Sequence, residues 1–143
     1  MRFILDTNIL VAGLRSPNGA SAAILKMVLM NKIQPIASVP LFLEYESVLL
    51  RPEHLIAAQL TKVEVLNFLD VFAGFVVPTE IFYLWRPQLK DANDDMVLET
   101  AVNGRADAIV TFNTSDFLPA INKFNLKLML PSLFLKELQH GHQ

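Results

Sequence analysis

Short apolar runs alternate with segments of helical periodicity along all 143 residues of the chain. The first run is Phe3-Ile4-Leu5, and similar runs recur at residues 33–37, 108–111 and 126–130. Strands that alternate with helices pair in parallel and are covered by helices on both faces. We therefore expect a single domain over residues 1–143 with an α/β fold. It should be a three-layer α/β/α sandwich around a central parallel sheet of about four to five strands, similar to a Rossmann fold.

Local signals indicate the bounds of several elements. A helix should span Pro40–Leu50 and stop at the following Arg51-Pro52, because proline suits a first helical turn and cannot continue a helix. Thr61 is expected to cap the next helix, with Glu64 as its capping-box partner. A further strand is expected over Glu80–Leu84. The predicted order of elements is β-α-α-β-α-α-β-α-β-α-β-α.

The composition is apolar, with 52% hydrophobic residues and a mean hydropathy of +0.38. The longest charge-free run, Ile33–Leu43, is nevertheless much shorter than the roughly 18 residues that a membrane helix needs. Asp6 interrupts the N-terminal apolar run, so we expect no signal peptide. No cysteine is present, which excludes disulfides and thiolate zinc sites and fits a cytoplasmic protein.

The apolar surplus predicts a surface that a second copy of the chain covers. We expect a homodimer that forms through the helices between Pro40 and Phe75 and leaves the polar ends of the strands open. The residues that carry this surplus are Phe42, Leu50, Phe68, Leu69, Phe72, Phe75 and Phe82.

Asp6, Thr7 and Asn8 follow the first predicted strand directly. In an α/β sheet, ligands bind just beyond the carboxyl ends of the strands, so Asp6 lies at a candidate site. Asp6 could bind a metal, with the Thr7 hydroxyl and the Asn8 amide orienting the carboxylate. The same residue types also cap helices by accepting hydrogen bonds from free amides, and the two roles are compatible.

Glu44 lies on the inward side of a predicted helix, three residues after Leu41 and four before Val48. A buried carboxylate needs a partner, because burying it unpaired costs free energy. A metal ion and an arginine are both suitable partners. The alternative is a solvated position at the edge of the apolar stripe.

Three carboxylates, Asp91, Asp94 and Asp95, cluster at the start of another predicted helix. Leu98 and Ala101 follow Asp94 at helical spacing, so Asp94 should face the core side. Asp95 should then point more sideways. We therefore rank Asp94 first as the metal-facing acid, Asp95 second and Asp91 third, with Asp91 as a candidate helix cap. The order of Asp94 and Asp95 is open by one residue.

The fourth predicted strand ends at Thr111, and Asn113 and Asp116 follow it. The Thr111 hydroxyl could hold a carboxylate from Asp6 or from Asp94. Asn113 and Asp116 could reach a metal through water. The alternative is a turn in which Ser115 or Asp116 caps the next helix.

The four acidic segments fit one chemistry. Asp6, Glu44, Asp94 and Asp116 come from separate elements but could meet at one end of a parallel sheet. Oxygen ligands without Cys or His favour Mg²⁺ or Mn²⁺, which can activate water and stabilise charge on a phosphate. Because the net charge is −2, the composition argues against binding of nucleic acid through bulk positive charge.

Four blocks of the sequence resemble the signature blocks of the PIN-domain ribonucleases. They are Phe3–Asn8, Leu43–Tyr45, Asp91–Ala101, and Ile109–Asn113 together with Asp116–Phe117. The set covers nearly the whole chain and is most similar to the toxin component of prokaryotic type II toxin–antitoxin pairs. By position, Asp6, Glu44 and Asp94 match the family's three principal acids. Asp116 matches the fourth, and Asn113 stands where some relatives have Asp.

The resemblance implies a PIN fold and an Mg²⁺- or Mn²⁺-dependent ribonuclease that cleaves single-stranded RNA. It also implies a homodimer and an antitoxin protein as a partner. We expect the catalytic and metal-binding residues to be Asp6, Glu44, Asp94 and Asp116. Supporting roles are expected for Thr7, Asn8, Asp91, Asp95, Thr111 and Asn113.

Two other functions are compatible with parts of the pattern. A PIN-fold module without catalytic activity would act through protein association alone. A phosphohydrolase with an Asp nucleophile would also place Asp6 at a strand tip, but one such class needs a second Asp where Asn8 stands. Metal-dependent cleavage of RNA distinguishes these functions from a ribonuclease.

Overall fold

The structure is a computed structural model that describes residues 1–82, 89 and 91–140. Its strands are β1 (Phe3–Leu5), β2 (Ile36–Ala37), β3 (Val77–Pro78), β4 (Ala108–Val110) and β5 (Lys127–Met129). Its helices are α1 (Thr7–Arg15), α2 (Ala20–Leu29), α3 (Val39–Leu49), α4 (Pro52–Ala58), α5 (Lys62–Ala73), α6 (Ala92–Asn103), α7 (Thr114–Phe124) and α8 (Pro131–His140). None of the helices in the described ranges has the length and apolar content needed to cross a membrane.

The strands pair in parallel throughout the described part of the chain. One sheet has the order β1-β4-β5, and β2 pairs with β3. Every residue of β1 and β4 is buried. Because successive strand residues point to opposite faces, this pattern requires cover on both faces of the sheet. The predicted α/β class with a parallel sheet is confirmed.

An additional helix, α4, follows the predicted helix stop. Arg51 and Pro52 do end α3, but Pro52 also begins α4, since proline is well suited to the first helical position. The predicted order of elements is therefore short by one helix. The next prediction is confirmed: Thr61 caps α5 and forms the reciprocal capping box with Glu64.

The strand expected over Glu80–Leu84 is wrong in position. The structure has β3 at Val77–Pro78 instead, and residues 80–82 form no strand. Residues 83–84 lie outside the described residues. Backbone hydrogen bonds of 2.8 and 3.0 Å join the β3 segment to the β2 segment, so pairing with β2 sets where this strand lies.

Some of the apolar residues that we assigned to a dimer surface lie in the core. Leu69 and Phe72, which we expected at a dimer surface, are buried within the single chain because α5 packs them inward. Other large apolar side chains on α3 to α5 stay exposed: Val39, Leu43, Ile56, Val63 and Val71. These helices therefore still present apolar surface to the outside.

Two buried hydrogen bonds hold α3 against β1 and α6. The Tyr45 hydroxyl donates to the carbonyl of Leu5 at the end of β1. Ser38 caps α3, and its hydroxyl lies 2.7 Å from the Thr100 hydroxyl on α6. Hydrogen bonds in a low-dielectric core are stronger than those at the surface. They keep the acid-bearing helices α3 and α6 beside the carboxyl end of β1.

Candidate active site

The carboxyl ends of β1 and β4 meet at one point of the sheet. Leu5 and Val110 are partners in register, so the residues that follow them leave the sheet side by side. These residues are Asp6 and Thr111, and the Asp6 N–H donates to the Val110 carbonyl at 2.9 Å. The Thr111 hydroxyl donates to Asp6 Oδ2 at 2.7 Å. We expected the Thr111 hydroxyl to hold a carboxylate from Asp6 or from Asp94, and in the structure it donates to Asp6.

Asp6 caps α1 and is almost fully buried, with 6% of its surface exposed. Its Oδ1 accepts the Thr7 N–H at 2.7 Å, and its Oδ2 accepts the Thr111 hydroxyl. Burial raises the pKa of Asp6, these hydrogen bonds lower it in part, and the charges of Asp116 and Asp91 raise it further. The pKa stays above its ordinary value, because the effect of burial is larger than that of the two hydrogen bonds.

The Thr111 hydroxyl uses its full hydrogen-bonding capacity at this site. A hydroxyl has one proton to donate and two lone pairs to accept with. The proton goes to Asp6, and the lone pairs face the Asn8 side-chain amide at 3.4 Å and the Asn113 N–H at 3.0 Å. The Asn8 carbonyl oxygen is 3.5 Å from the Phe112 N–H. The Asp6 carboxylate is therefore held in one orientation by both strand ends.

A cleft of about 340 Å³ opens beside Asp6. Residues from α1, α3, α6, the start of α4 and the segment after β4 line it. The predicted site residues in its lining are Asp6, Thr7, Asn8, Glu44, Asp94 and Asn113. Three carboxylates from distant parts of the sequence thus share one open space.

Asp94 lines the cleft, whereas its neighbour Asp95 is turned inward. Asp95 is 3% exposed, and its Oδ1 accepts the Leu89 N–H at 3.0 Å. Consecutive residues of a helix point about 100° apart, so only one of the pair can face the cleft. Partial burial, and then the negative charges of Asp6 and three further acids, raise the pKa of Asp94 to about 6.

Asp91 and Asp116 are exposed and are not part of the cleft lining. Asp91 caps α6 by accepting the Asn93 N–H at 2.9 Å, and Asp116 lies in the first turn of α7. The charges of both raise the pKa of Asp6 and of Asp94, so both act on the cleft electrostatically. No positively charged side chain of the described residues lowers the pKa of either acid.

Two further residues of the cleft lining, Arg51 and His54, were not expected from the sequence. Arg51 lies three residues after Val48 and seven after Glu44, which is the spacing of one helical face. That spacing was the available signal. We did not include Arg51 in the predicted site, because we interpreted Pro52 as the end of the helical pattern. In the structure, Pro52 is the start of α4.

A family model described as a PIN domain matches residues 2–115, which include Asp6, Glu44, Asp94 and Thr111. This chain belongs to the PIN-domain family. A similar solved structure is the crystal structure of VapBC2 from Rickettsia felis bound to a DNA fragment from their promoter. The match has a TM-score of 0.62 and 18% identity, and it covers 91% of this chain and 98% of that chain. At this identity the likeness shows the PIN fold alone. No curated protein matches the chain in sequence.

PIN domains are in general nucleases that use divalent metal ions. Among the described residues, no three Asp, Glu or His side chains lie close enough together to form a ready-made metal site. Mg²⁺ often needs only one or two carboxylates, and water and substrate phosphates complete its shell. Asp6 and Asp94 share an open cleft and have raised pKa values. This donor set therefore fits a hard divalent cation that solvent and substrate help to coordinate.

Proposed function

We propose that this PIN domain is a divalent-metal-dependent endoribonuclease that cleaves single-stranded RNA. The observation that carries the proposal is the single cleft that Asp6, Glu44 and Asp94 share. Among the described residues, no cationic side chain lowers the pKa of Asp6 or Asp94, although Arg51 and His54 line the same cleft. A phosphate can approach carboxylates such as Asp6 and Asp94 closely only when a cation lies between them.

Mg²⁺ or Mn²⁺ is the proposed cofactor. Asp6 and Asp94 would hold the ion, and Glu44 would help to hold it or would orient a water molecule. When bound, a divalent ion supplies a more acidic water and stabilises negative charge on a phosphate. Asp116 is the proposed fourth acid, and it contributes from the rim through its charge and through water.

The other polar residues keep the acids in place. Thr111 and the Thr7 N–H orient the two oxygens of Asp6, and Asn8 and Asn113 orient Thr111 in turn. Residues that support metal ligands in this way typically change affinity or activity by about 10–100-fold. Asp91 caps α6, and Asp95 ties the start of α6 to Leu89.

Cleavage of RNA and DNA strands of matched sequence, with Mg²⁺, Mn²⁺ or EDTA, tests this function. Asp6→Asn and Asp94→Asn should each remove nearly all metal-dependent cleavage. Asp70→Asn is the matched control, because Asp70 is exposed on α5 and outside the cleft lining. An active Asp94→Asn protein with an inactive Asp95→Asn protein would contradict the role given to Asp94.

A PIN-fold module without catalytic activity is the second candidate. The observation that favours it is the absence of a ready-made three-residue metal site among the described residues. The same assay separates the two functions. A wild type that binds Mg²⁺ or Mn²⁺ but cleaves no strand would support the binding module.

We also propose that the protein is the toxin of a toxin–antitoxin pair. The support is its fold likeness to the VapBC2 structure, together with the PIN family itself. Expression in bacteria should then arrest growth, and the arrest should need the acids of the cleft. Growth arrest by wild type and not by Asp6→Asn, relieved by co-expression of the protein encoded next to it, is the expected result. A cytoplasmic location and a homodimer are part of this proposal.

A further inference from the structure

The cleft that holds the carboxylates also contains two basic side chains, Arg51 and His54. Arg51 is the residue before α4, and His54 lies in its first turn, so one short segment supplies both. The acids come from other elements: Asp6 precedes α1, Glu44 lies on α3, and Asp94 lies on α6. The cleft therefore presents anionic and cationic groups from separate parts of the fold.

The basic side chains of the cleft are not paired with its carboxylates in the described part of the chain. Among the residues that the structure describes, neither Arg51 nor His54 forms an ion pair with a carboxylate. Both nevertheless line the same space of about 340 Å³ as Asp6 and Asp94. Charged groups that share a cleft without pairing remain available to a ligand that carries charge of its own.

Arg15 sets the hydrogen-bonding roles of the two ring nitrogens of His54. Arg15 Nη2 lies 3.0 Å from His54 Nδ1. A guanidinium group can only donate, so in this contact Nδ1 accepts and the hydrogen of the ring lies on Nε2. In this tautomer the second ring nitrogen of His54 is a hydrogen-bond donor. Arg15 also adds a positive charge beside the ring.

The backbone of Arg51 is well anchored, whereas its side chain forms no hydrogen bond or ion pair within the described part of the chain. Its N–H donates to the Val48 carbonyl at 3.1 Å, and its carbonyl accepts from His54 and Leu55 at 3.0 and 3.1 Å. The side chain is exposed and makes no capping hydrogen bond to α4. The main chain of Arg51 is therefore fixed beside the cleft, and removal of its exposed side chain should leave the fold intact.

We propose that Arg51 and His54 bind a phosphate of the RNA strand next to the phosphate that is cleaved, with Arg15 as a positioning residue for His54. The inference rests on the proposed ribonuclease function. Guanidinium groups match phosphate oxygens with paired hydrogen bonds, and the His54 Nε2–H adds one more donor. Phosphate contacts set the register of a nucleic acid without reading its sequence. This basic subsite would therefore place the strand across the acids.

Binding of a fluorescein-labelled oligouridine in Mg²⁺, measured by fluorescence anisotropy, tests the subsite. An Asp6→Asn parent separates binding from cleavage. In this parent, Arg51→Ala should weaken RNA binding about tenfold. It should also lower the slope of log Kd against log salt by about 0.7, the value for one single-strand phosphate contact. Lys136→Ala removes one positive charge from an exposed position on α8 and should change neither quantity.

Variants at His54 and Arg15 test the positioning role. His54→Gln keeps a donor at the far end of the side chain and should retain most of the affinity, whereas His54→Ala should not. Arg15→Ala should weaken RNA binding when His54 is present and have little effect in the His54→Ala protein, because Arg15 acts through His54. Equal losses in both proteins would overturn the positioning role.

Equal affinity and equal salt slope for Arg51→Ala and its parent would overturn the basic subsite, as would a parent that binds no RNA. Cleavage by the wild type is scored separately. An Arg51-dependent salt slope in a protein whose wild type cleaves no RNA would support the subsite and refute the ribonuclease function.

Discussion

Replacing Asp94 by Asn should stabilise the metal-free protein at neutral pH but not at acidic pH. The pKa of Asp94 is about 6 in the folded protein, against 3.8 for the unperturbed group. The folded state therefore binds this proton more tightly than the unfolded state does. Its contribution to stability is full below pH 3.8, falls as the pH rises, and is lost above about pH 6. A difference of about two pKa units corresponds to about 3 kcal/mol, and solvent screening of this partly exposed group reduces the expected effect to about 1–2 kcal/mol.

Urea unfolding in EDTA, at about pH 4 and about pH 8, measures this difference for wild type and Asp94→Asn. Asn keeps the size of the side chain and removes the charge. Asp70→Asn removes one charge from an exposed position on α5 and should show no comparable pH dependence. The electrostatic argument is refuted if Asp94→Asn changes the free energy of unfolding equally at both pH values. It is also refuted if this variant is the less stable protein at the higher pH.

Three further predictions concern the ion, the support of Asp6 and the assembly. Mg²⁺ or Mn²⁺ should raise the Tm of wild type in differential scanning fluorimetry by binding the native state, and a shift that survives Asp6→Asn would place the ion elsewhere. Thr111→Val should lower the free energy of unfolding at neutral pH by about 1.5–3 kcal/mol, because a buried carboxylate loses a donor; unchanged urea unfolding would contradict this. Light scattering should show a homodimer that Val63→Glu dissociates, since Val63 is 65% exposed on α5 and a glutamate in a first helical turn is compatible with folding. A monomeric wild type at micromolar concentration would count against the dimer.

Features that depend on residues close together in the sequence could be predicted without the structure. The alternation of apolar runs and helical patterns was sufficient to predict a parallel α/β fold, because burial on both faces requires continuous apolar strands. Thr61 and Glu64 identified the start of α5, because a capping box is a contact within one turn. The four acidic blocks together indicated the PIN family, and the family model confirms it.

Which of these residues come together depends on contacts between distant parts of the chain. Tyr45 ties α3 to the end of β1, and that packing places Glu44 in the cleft with Asp6. The orientation of α6 turns Asp94 toward the cleft and Asp95 toward Leu89, a choice that helical spacing left open by one residue.

The positions of the basic residues and of the third strand could not be predicted from the sequence for the same reason. Arg51 and His54 reach the cleft only because Pro52 begins a helix that packs beside α1 and α3. Similarly, β3 lies at Val77–Pro78 because its backbone pairs with β2, far away in the sequence. Local patterns determine which residues form an element and which side of it is apolar. The partners across the chain depend on long-range packing and hydrogen bonds, which no short stretch of sequence contains.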